Sequence, residues 1–552
     1  MEMNKTVFLN GKVFTDLEKE VEALLVEEDK IAELGTTSEI LEMIGDAETS
    51  SAKIVDLQGK TVIPGFIDSH NHVLGAADLL EGVNCFGLKS IEEVKQAVDR
   101  KAKEKEKGEW ITGAGWIESQ FEEKRMINRH DLDEAAPNNP VCLSRLFGLC
   151  AVNSEALEAA GIYKGFVPKA GRIDLDESGE PNGIIREASQ ELITHAIEKG
   201  TAGPSQEVLE SRILLVLHEL LKYGVTSLLD PGITGTVMRA YTSLWAQRKL
   251  PLRVSAMPTW HGKSAIHGEY VINPMVEAGL QPGFGDSRFR VGNLKMAIDG
   301  GLGTKTAMMH DPFIDGTRST IPARVDLNKL GIYIADAHLS GWGVGVHCCG
   351  DLAQDICLSH ISDAVSKRKP FPYQRHHIIH GYLPTSYALK VMSDYDIGIS
   401  LQPGFIYVEG DVYPQAIPEE KFAWFKPAKA YLDRGIRVAI NTDVPSGPYN
   451  PFVTLYGAVA RKTMGGLDFG RDQALTVEEA VRSFTQGGAY LAYRDSECGS
   501  LTRGLYADMA ILDRDIFSVD PHELLETNVL ATILGGEFVY VADNAPNEWK
   551  DL

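Results

Sequence analysis

His70 and His72 stand two residues apart at the end of the stretch Thr-Val-Ile-Pro-Gly-Phe-Ile-Asp-Ser-His-Asn-His, residues 61–72. Side chains two apart in extended backbone point the same way, so this pair can present two imidazoles to one point, as a chelate for a divalent ion does. A bare His-x-His is as readily two solvated loop histidines. Here Val62, Ile63, Phe66 and Ile67 precede it as a short apolar run, the pattern of a buried parallel strand, and Asp68 adds a carboxylate able to fix the tautomer of a ligating imidazole. Further along, Lys295, His347, His380 and Asp443 each lie in, or at the end of, another strand-like run. Four imidazoles and a carboxylate brought together suit zinc or a related first-row divalent ion. Such an ion activates water and polarises carbonyls. His376 and His377 compete with His380. Alternation puts His376 on the face of His380 but deeper, so His380 is expected to be the ligand and His376 to have a core or supporting role.

Residues this far apart converge only if the fold gathers strand ends. Counting from Val62, eight strand-like runs are expected, the others at 225–229, 252–257, 291–298, 343–347, 375–380, 397–402 and 437–441. Most are followed by helical stretches, among them 351–367 and 384–394. Strand–helix alternation implies a parallel sheet, and eight units imply closure into a (β/α)8 TIM barrel with its chemistry on the C-terminal rim. Ser205 can cap a helix whose Leu209, Ile213, Leu214, Leu217 and Leu221 recur at helical spacing before Gly224. The chain opens with strand-like 7–9 and 12–14 around Asn10-Gly11, a strong hairpin signal, and closes with strand-like 507–513 and 529–541. A β module built from both termini therefore brackets the central domain. Residues 80–203 read as least regular and are taken as an insertion.

With 552 residues, 44% of them hydrophobic, the chain can bury several cores. Its net charge of −23 argues against a nucleic-acid or anionic-membrane surface. Seven cysteines without Cys-x-x-Cys spacing, the lack of a signal-like N-terminal run and the lack of 18 consecutive apolar residues fit a cytoplasmic protein.

Against this background the chain resembles the metal-dependent amidohydrolase superfamily, in its amidohydrolase 3 branch, which includes N-substituted formamide deformylases. The resemblance is carried by Val-Ile-Pro-Gly-Phe-Ile-Asp-Ser-His-Asn-His (62–72), Gly-Ile-Ile-Arg-Glu (183–187), Tyr-Gly-Val-Thr-Ser (223–227) and Leu-Lys-Met-Ala-Ile-Asp-Gly (294–300). It continues through Val-His-Cys-Cys-Gly-Asp (346–351), Arg-His-His-Ile-Ile-His (375–380), Asn-Thr-Asp-Val-Pro (441–445) and Gly-Ser-Leu-Thr-Arg-Gly-Leu-Tyr-Ala-Asp (499–508). It implies a β-sandwich made by residues 1–60 and 496–552, a first barrel strand with metal motif at 61–79, an insertion domain at 80–203 and the rest of the barrel at 204–495. It also implies that His70, His72, His347, His380 and Asp443 hold one or two divalent ions, zinc foremost. Lys295 matches a lysine that many relatives carboxylate to bridge two ions; the plainer alternative pairs it with Asp299 or with a substrate carboxylate. Ile379, Asn441 and Leu149 depart from the family pattern at positions that touch recognition rather than the ligand set.

The chemistry expected is hydrolysis of a C–N bond in an amide, a formamide or a cyclic amide, a small-molecule substrate. Asp443 carries the proton, with His347 and Lys295 beside it. Metal-assisted decarboxylation or ester cleavage is the alternative on the same fold, and a non-catalytic regulatory homologue the alternative of another class. Trp116, Arg145, Trp260 and His261 are expected substrate contacts, with Trp110, Phe121, Arg125 and Arg186-Glu187 as further pocket candidates. For the tryptophans a place in the insertion's own core is at least as natural, and for Arg145 and Arg186-Glu187 the alternative is a salt bridge within the insertion. Asp351 either orients His347 or caps the helix after it. No nucleic-acid or membrane partner is expected, and a homodimer is one allowed assembly.

Overall fold

The computed structural model describes residues 5–16, 21–45, 52–145, 148–169, 171–200, 204–260, 274–319, 324–371, 374–550 and 552. Eight parallel strands form its centre: β1 (Phe66–Asp68), β2 (Val225–Ile233), β3 (Arg253–Pro258), β4 (Leu294–Ala297), β5 (Val344–Cys348), β6 (His377–His380), β7 (Gly398–Leu401) and β8 (Val438–Ile440). They pair in two arcs. One runs β1–β2–β3 and ends on an added strand, Phe289–Val291; the other runs β4 to β8 in sequence order. A parallel bridge between Thr259 and Lys295 joins the arcs on one side. On the other side no β8–β1 ladder forms among the described residues. There the Asp443 amide donates to His70 O at 3.0 Å, and the Thr442 amide to Asp68 Oδ1 at 3.1 Å.

Helices follow the strands for reasons legible in their ends. Ser205 Oγ accepts from the Val208 amide and starts Gln206–Leu221, which buries Leu209, Ile213, Leu217 and Leu221. Gly224, at φ +78°, then turns the chain into β2, where an added Cβ would lie 2.8 Å from Ala510 Cβ. Asp351–Lys367 and Ser386–Asp394 occupy the expected helical stretches after β5 and β6.

Two local expectations are corrected. The run 62–67 is two strands, because Thr61–Pro64 pairs antiparallel with Met509–Leu512 and parallel with Lys12–Val13, whereas β1 pairs with β2. The chain crosses between sheets at Gly65, where a Cβ would sit 2.3 Å from the Thr226 side chain, so the close approach that separates the strands needs glycine. Asn10-Gly11, likewise, closes no hairpin. Asn10 does take the left-handed φ of +57°, but Lys5–Leu9 pairs with Ala23–Glu27 and Lys53–Asp56, while Lys12–Val13 goes to the other sheet. Both sheets fill one core, including Phe8, Leu24, Val26, Val62, Met509, Ile511 and Trp549. That shared burial outweighs the local turn preference.

Arg253 at the start of β3 fixes this terminal module to the strands, forking onto Asp508 at 2.6 and 2.9 Å with both side chains buried. The stretch read as irregular holds a six-stranded mixed sheet ordered Arg172–Leu175, Pro181–Arg186, Leu149–Val152, Val141–Arg145, Ile111–Trp116, Val83–Asn84. Leu149–Val152 is buried throughout, so it lacks the alternation that marks a half-exposed strand. All seven cysteines are free and buried. No helix among the described residues is long and apolar enough to cross a membrane.

Candidate metal centre

The ends of β1, β4, β5, β6 and β8 meet on one rim and bring His70, His72, Lys295, His347, His380 and Asp443 together. Asp443 Oδ1 lies 3.6 Å from His72 Nε2 and 3.9 Å from His70 Nε2, and its Oδ2 lies 3.9 Å from His380 Nδ1. Lys295 Nζ is 3.2 Å from His70 Nε2. Ring centroids of His347 and His380 are 4.3 Å apart, and those of His70 and His380 are 5.8 Å apart. Two donor groups result, one of His70, His72 and Asp443 and one of His347, Cys349 and His380, with ligand atoms within 4.8 Å in each.

Local backbone aims these groups. His380 and Asp443 both leave their strands in the left-handed region, at φ +78° and +53°. Residues other than glycine held there cost on the order of 1–3 kcal/mol and cluster at functional sites. Asp68 is buried and accepts from the Thr442 amide and hydroxyl, Asn71 Nδ2 and the His70 amide. It therefore ties the β1 end to the β8 end through backbone, rather than fixing an imidazole tautomer as its sequence position implied. Asp299 accepts from the amides of Met308, Cys349 and Gly350 at 2.8 to 2.9 Å, which shapes the turn after β5. The plain Lys295–Asp299 pair is thus replaced by Lys295 against His70. Asp351 accepts from the amides of His310 and Leu352 instead of orienting His347.

Electrostatics follow from enclosure. Burial holds the imidazoles of His70, His347 and His380 well below the usual histidine range, helped respectively by Lys295, Arg324 and His347. His72, with 42% of its side chain accessible, is moved in the same direction by desolvation and Lys295. Desolvation pushes the Lys295 ammonium down and the Asp443 carboxyl up, each partly opposed by the other's charge. Neutral imidazoles are the protonation state that ligand histidines require, and Asp443 adds a carboxylate once its proton leaves, so the donor set fits a divalent ion.

Several residues reach the site that the sequence reading did not single out. Gln402, just past β7, accepts at Oε1 from His380 Nδ1 and from Lys426 Nζ, both at 2.8 Å. With its Nδ1 proton on Gln402, His380 keeps its Nε2 lone pair for a ligand. Lys426 is fully buried, its ammonium 3.8 Å from the Tyr382 ring centroid. Gln402 shares the strand-end position that marked the other candidates; Lys426 comes from a segment without periodicity.

The expected recognition residues divide. Trp116 is corrected to a core residue: fully buried, its Nε1 donates to Leu143 O at 2.9 Å and its ring stacks on Phe121. Arg145 is likewise buried, in a bidentate pair with Glu118 at 2.7 and 2.9 Å, the salt-bridge alternative for this residue. Trp110 packs into the insertion, Arg125 pairs with Asp131 and Arg186 with Asp174. Glu187 instead reaches the loop after β4, accepting from Thr304 and Thr306 and pairing with Arg324. Trp260 packs on Tyr333, and its amide donates to Lys295 O; His261 lies outside the described residues. His376 bonds His338 at 3.0 Å, away from the rim, as a core residue.

The model of the Amidohydrolase family matches residues 53–540. YtcJ of Bacillus subtilis, provisionally named an amidohydrolase, is 28% identical over 558 residues, which cover 97% of this chain and 99% of the relative. The N-substituted formamide deformylase of Arthrobacter pascens is 29% identical over 540 residues, 94% of this chain and 95% of that enzyme. Among solved structures, an uncharacterized metal-dependent hydrolase of Pyrococcus horikoshii superposes with a TM-score of 0.73 at 27% identity, covering 94% of this chain and 99% of the other.

Proposed function

This chain belongs to the amidohydrolase family, and from that premise we propose that it is a metal-dependent hydrolase opening a C–N bond in an N-formyl, N-acyl or cyclic amide. The observation that carries the proposal is the convergence of four neutral imidazoles and the carboxylate of Asp443 beside Lys295 at strand ends. The two parallel arcs are read as one (β/α)8 barrel, the terminal sheets as its β-sandwich and residues 80–203 as an inserted domain. In this reading His70, His72, His347, His380 and Asp443 hold one or two divalent ions, zinc foremost, with Lys295 free or carboxylated next to them. A bound ion supplies Lewis acidity, which draws the pKa of water toward about 7 and polarises the scissile carbonyl.

The chain's own groups do the rest. Asp443 accepts the proton of the attacking water at a carboxylate oxygen and returns it to the leaving nitrogen. Its backbone bond to His70 O, and the Asp68 bonds to Thr442, keep β8 and β1 in register while the proton moves. Gln402 keeps the His380 ring in one tautomer. The formyl substrate class is favoured by the deformylase relative.

Elemental analysis of the purified protein, followed by a screen of N-formyl, N-acyl and cyclic amides before and after chelation, tests the proposal. Divalent metal and chelator-sensitive amide turnover are expected. A metal-free preparation with full activity refutes it.

A further inference from the structure

One donor on the rim has no part in the hydrolytic scheme above. Cys349 Sγ lies 3.5 Å from His347 Nε2, and the thiol is buried. Zinc binds imidazole nitrogen at about 2.0–2.1 Å and thiolate sulfur at about 2.3 Å, so two such donors meeting at a tetrahedral angle stand about 3.6 Å apart. The observed spacing matches two donors on one ion, and it equally matches a thiol hydrogen bond to the imidazole, which is the arrangement an ion would replace. The third member, His380, has its Nδ1 proton on Gln402, which leaves the lone pair of its Nε2 unprotonated.

The turn after β5 explains why this cysteine and not its neighbour faces the rim. Asp299 takes the amides of Cys349 and Gly350, curling the chain as soon as the strand ends. A Cβ at Gly350 would lie 1.9 Å from Met308 O, so the backbone of the loop after β4 packs against the turn too closely for any residue but glycine there. Residue 349 thereby returns to the side of His347, two positions earlier. Cys348 points the other way, into the apolar core shared with Cys357.

We propose that Cys349 is a thiolate ligand in a His347–Cys349–His380 group, giving the centre a soft donor and hence a preference for zinc or cobalt over magnesium and manganese. The proposal rests on the metal reading above. On binding, the thiol proton leaves to solvent and a sulfur lone pair forms the bond to the ion; nothing is oxidised. Soft thiolate selects such ions, whereas oxygen donors suit magnesium and manganese. The competing arrangement leaves Cys349 a packed thiol and sets a His347 Nε2–H on Gly300 O, which lies 3.3 Å away.

Cobalt substitution of the full chain separates the two. A cobalt–thiolate bond gives an intense near-ultraviolet charge-transfer band that cobalt bound only by nitrogen and oxygen lacks. The parent should show the band. Cys349→Ser should lose it while still binding cobalt, and its zinc affinity, measured by chelator competition, should fall on the order of 10-fold or more. Zinc-edge X-ray absorption on the unmodified chain should show sulfur at about 2.3 Å and does not depend on how a variant folds. Bound metal with neither the band nor a sulfur scatterer overturns the thiolate while leaving the metal reading intact. A band retained in Cys349→Ser assigns it to another cysteine and overturns the proposal too. A chain that binds neither zinc nor cobalt overturns both.

Discussion

Replacing Asp443 by asparagine separates proton transfer from metal binding, and the structure says what each should cost. The structural bonds of this residue belong to its backbone: its amide donates to His70 O at 3.0 Å, and its carbonyl accepts from Ser446 at 2.7 Å and Gly447 at 3.1 Å. Its φ of +53° is one asparagine adopts as readily. The carboxylate stands 3.6 to 3.9 Å from the imidazole nitrogens, too far for hydrogen bonds, so asparagine removes none of these. Burial raises the carboxyl pKa, with Lys295 pulling the other way. A folded pKa above the unfolded one means that the folded chain holds the proton more tightly and that the buried charge is destabilising once the unfolded carboxyl has ionised. Metal-free Asp443→Asn should therefore be at least as stable as the metal-free parent at neutral pH. The rate should fall by about 10²–10⁴, which is about 2.7–5.4 kcal/mol on the barrier. Steady-state turnover on the best amide of the screen, metal content by elemental analysis and thermal unfolding of both metal-free proteins measure the three quantities. Near-normal kcat with full metal would refute the proton-carrier role; loss of metal together with rate would make Asp443 chiefly a ligand.

His380→Ala, which deletes a donor of the His347 group beside Asp443 and leaves Gln402 Oε1 with Lys426 alone, should lower metal occupancy as well as rate; elemental analysis showing full occupancy contradicts the ligand role. Trp116→Ala should cost about 3–5 kcal/mol of stability, because a fully buried indole leaves a cavity, while ratios of kcat/KM among amides stay unchanged. A shifted preference at unchanged stability would return Trp116 to the substrate pocket. Burial pushes Glu409 up to about 8 from the ordinary 4.5, so between those values the folded chain holds a proton that the unfolded chain has released. Stability should fall as pH rises through that window, by at most about 1.4 kcal/mol per unit, and Glu409→Gln should flatten the fall. Urea titrations at about pH 5 and about pH 8 on both proteins check this; an unchanged slope means that Glu409 is ionised throughout.

Where side chains report their own burial, the sequence alone was enough. Apolar runs ending in His70, His347, His380 and Asp443 mark strand ends, and Ser205 and Gly224 bound a helix, because capping and periodicity are properties of a few adjacent residues. The candidate ligands were legible for the same reason. What tertiary structure decided was every choice between partners distant in sequence. Asn10-Gly11 carries a hairpin signal, yet Leu9 and Lys12 lead into different sheets, since the shared core of the termini buries more than a two-stranded ribbon could. Gly65 divides an apolar run that reads as one strand only because Thr226 crowds it from another segment. Trp116 has the same local pattern whether it lines a pocket or fills a core, and the sheet that packs around it settles which. Lys426 and Cys349 join the rim through contacts made in space, to Tyr382 and His347, that leave no periodic trace along the chain, and Gln402, though at a strand end, shows its role only through its bond to His380.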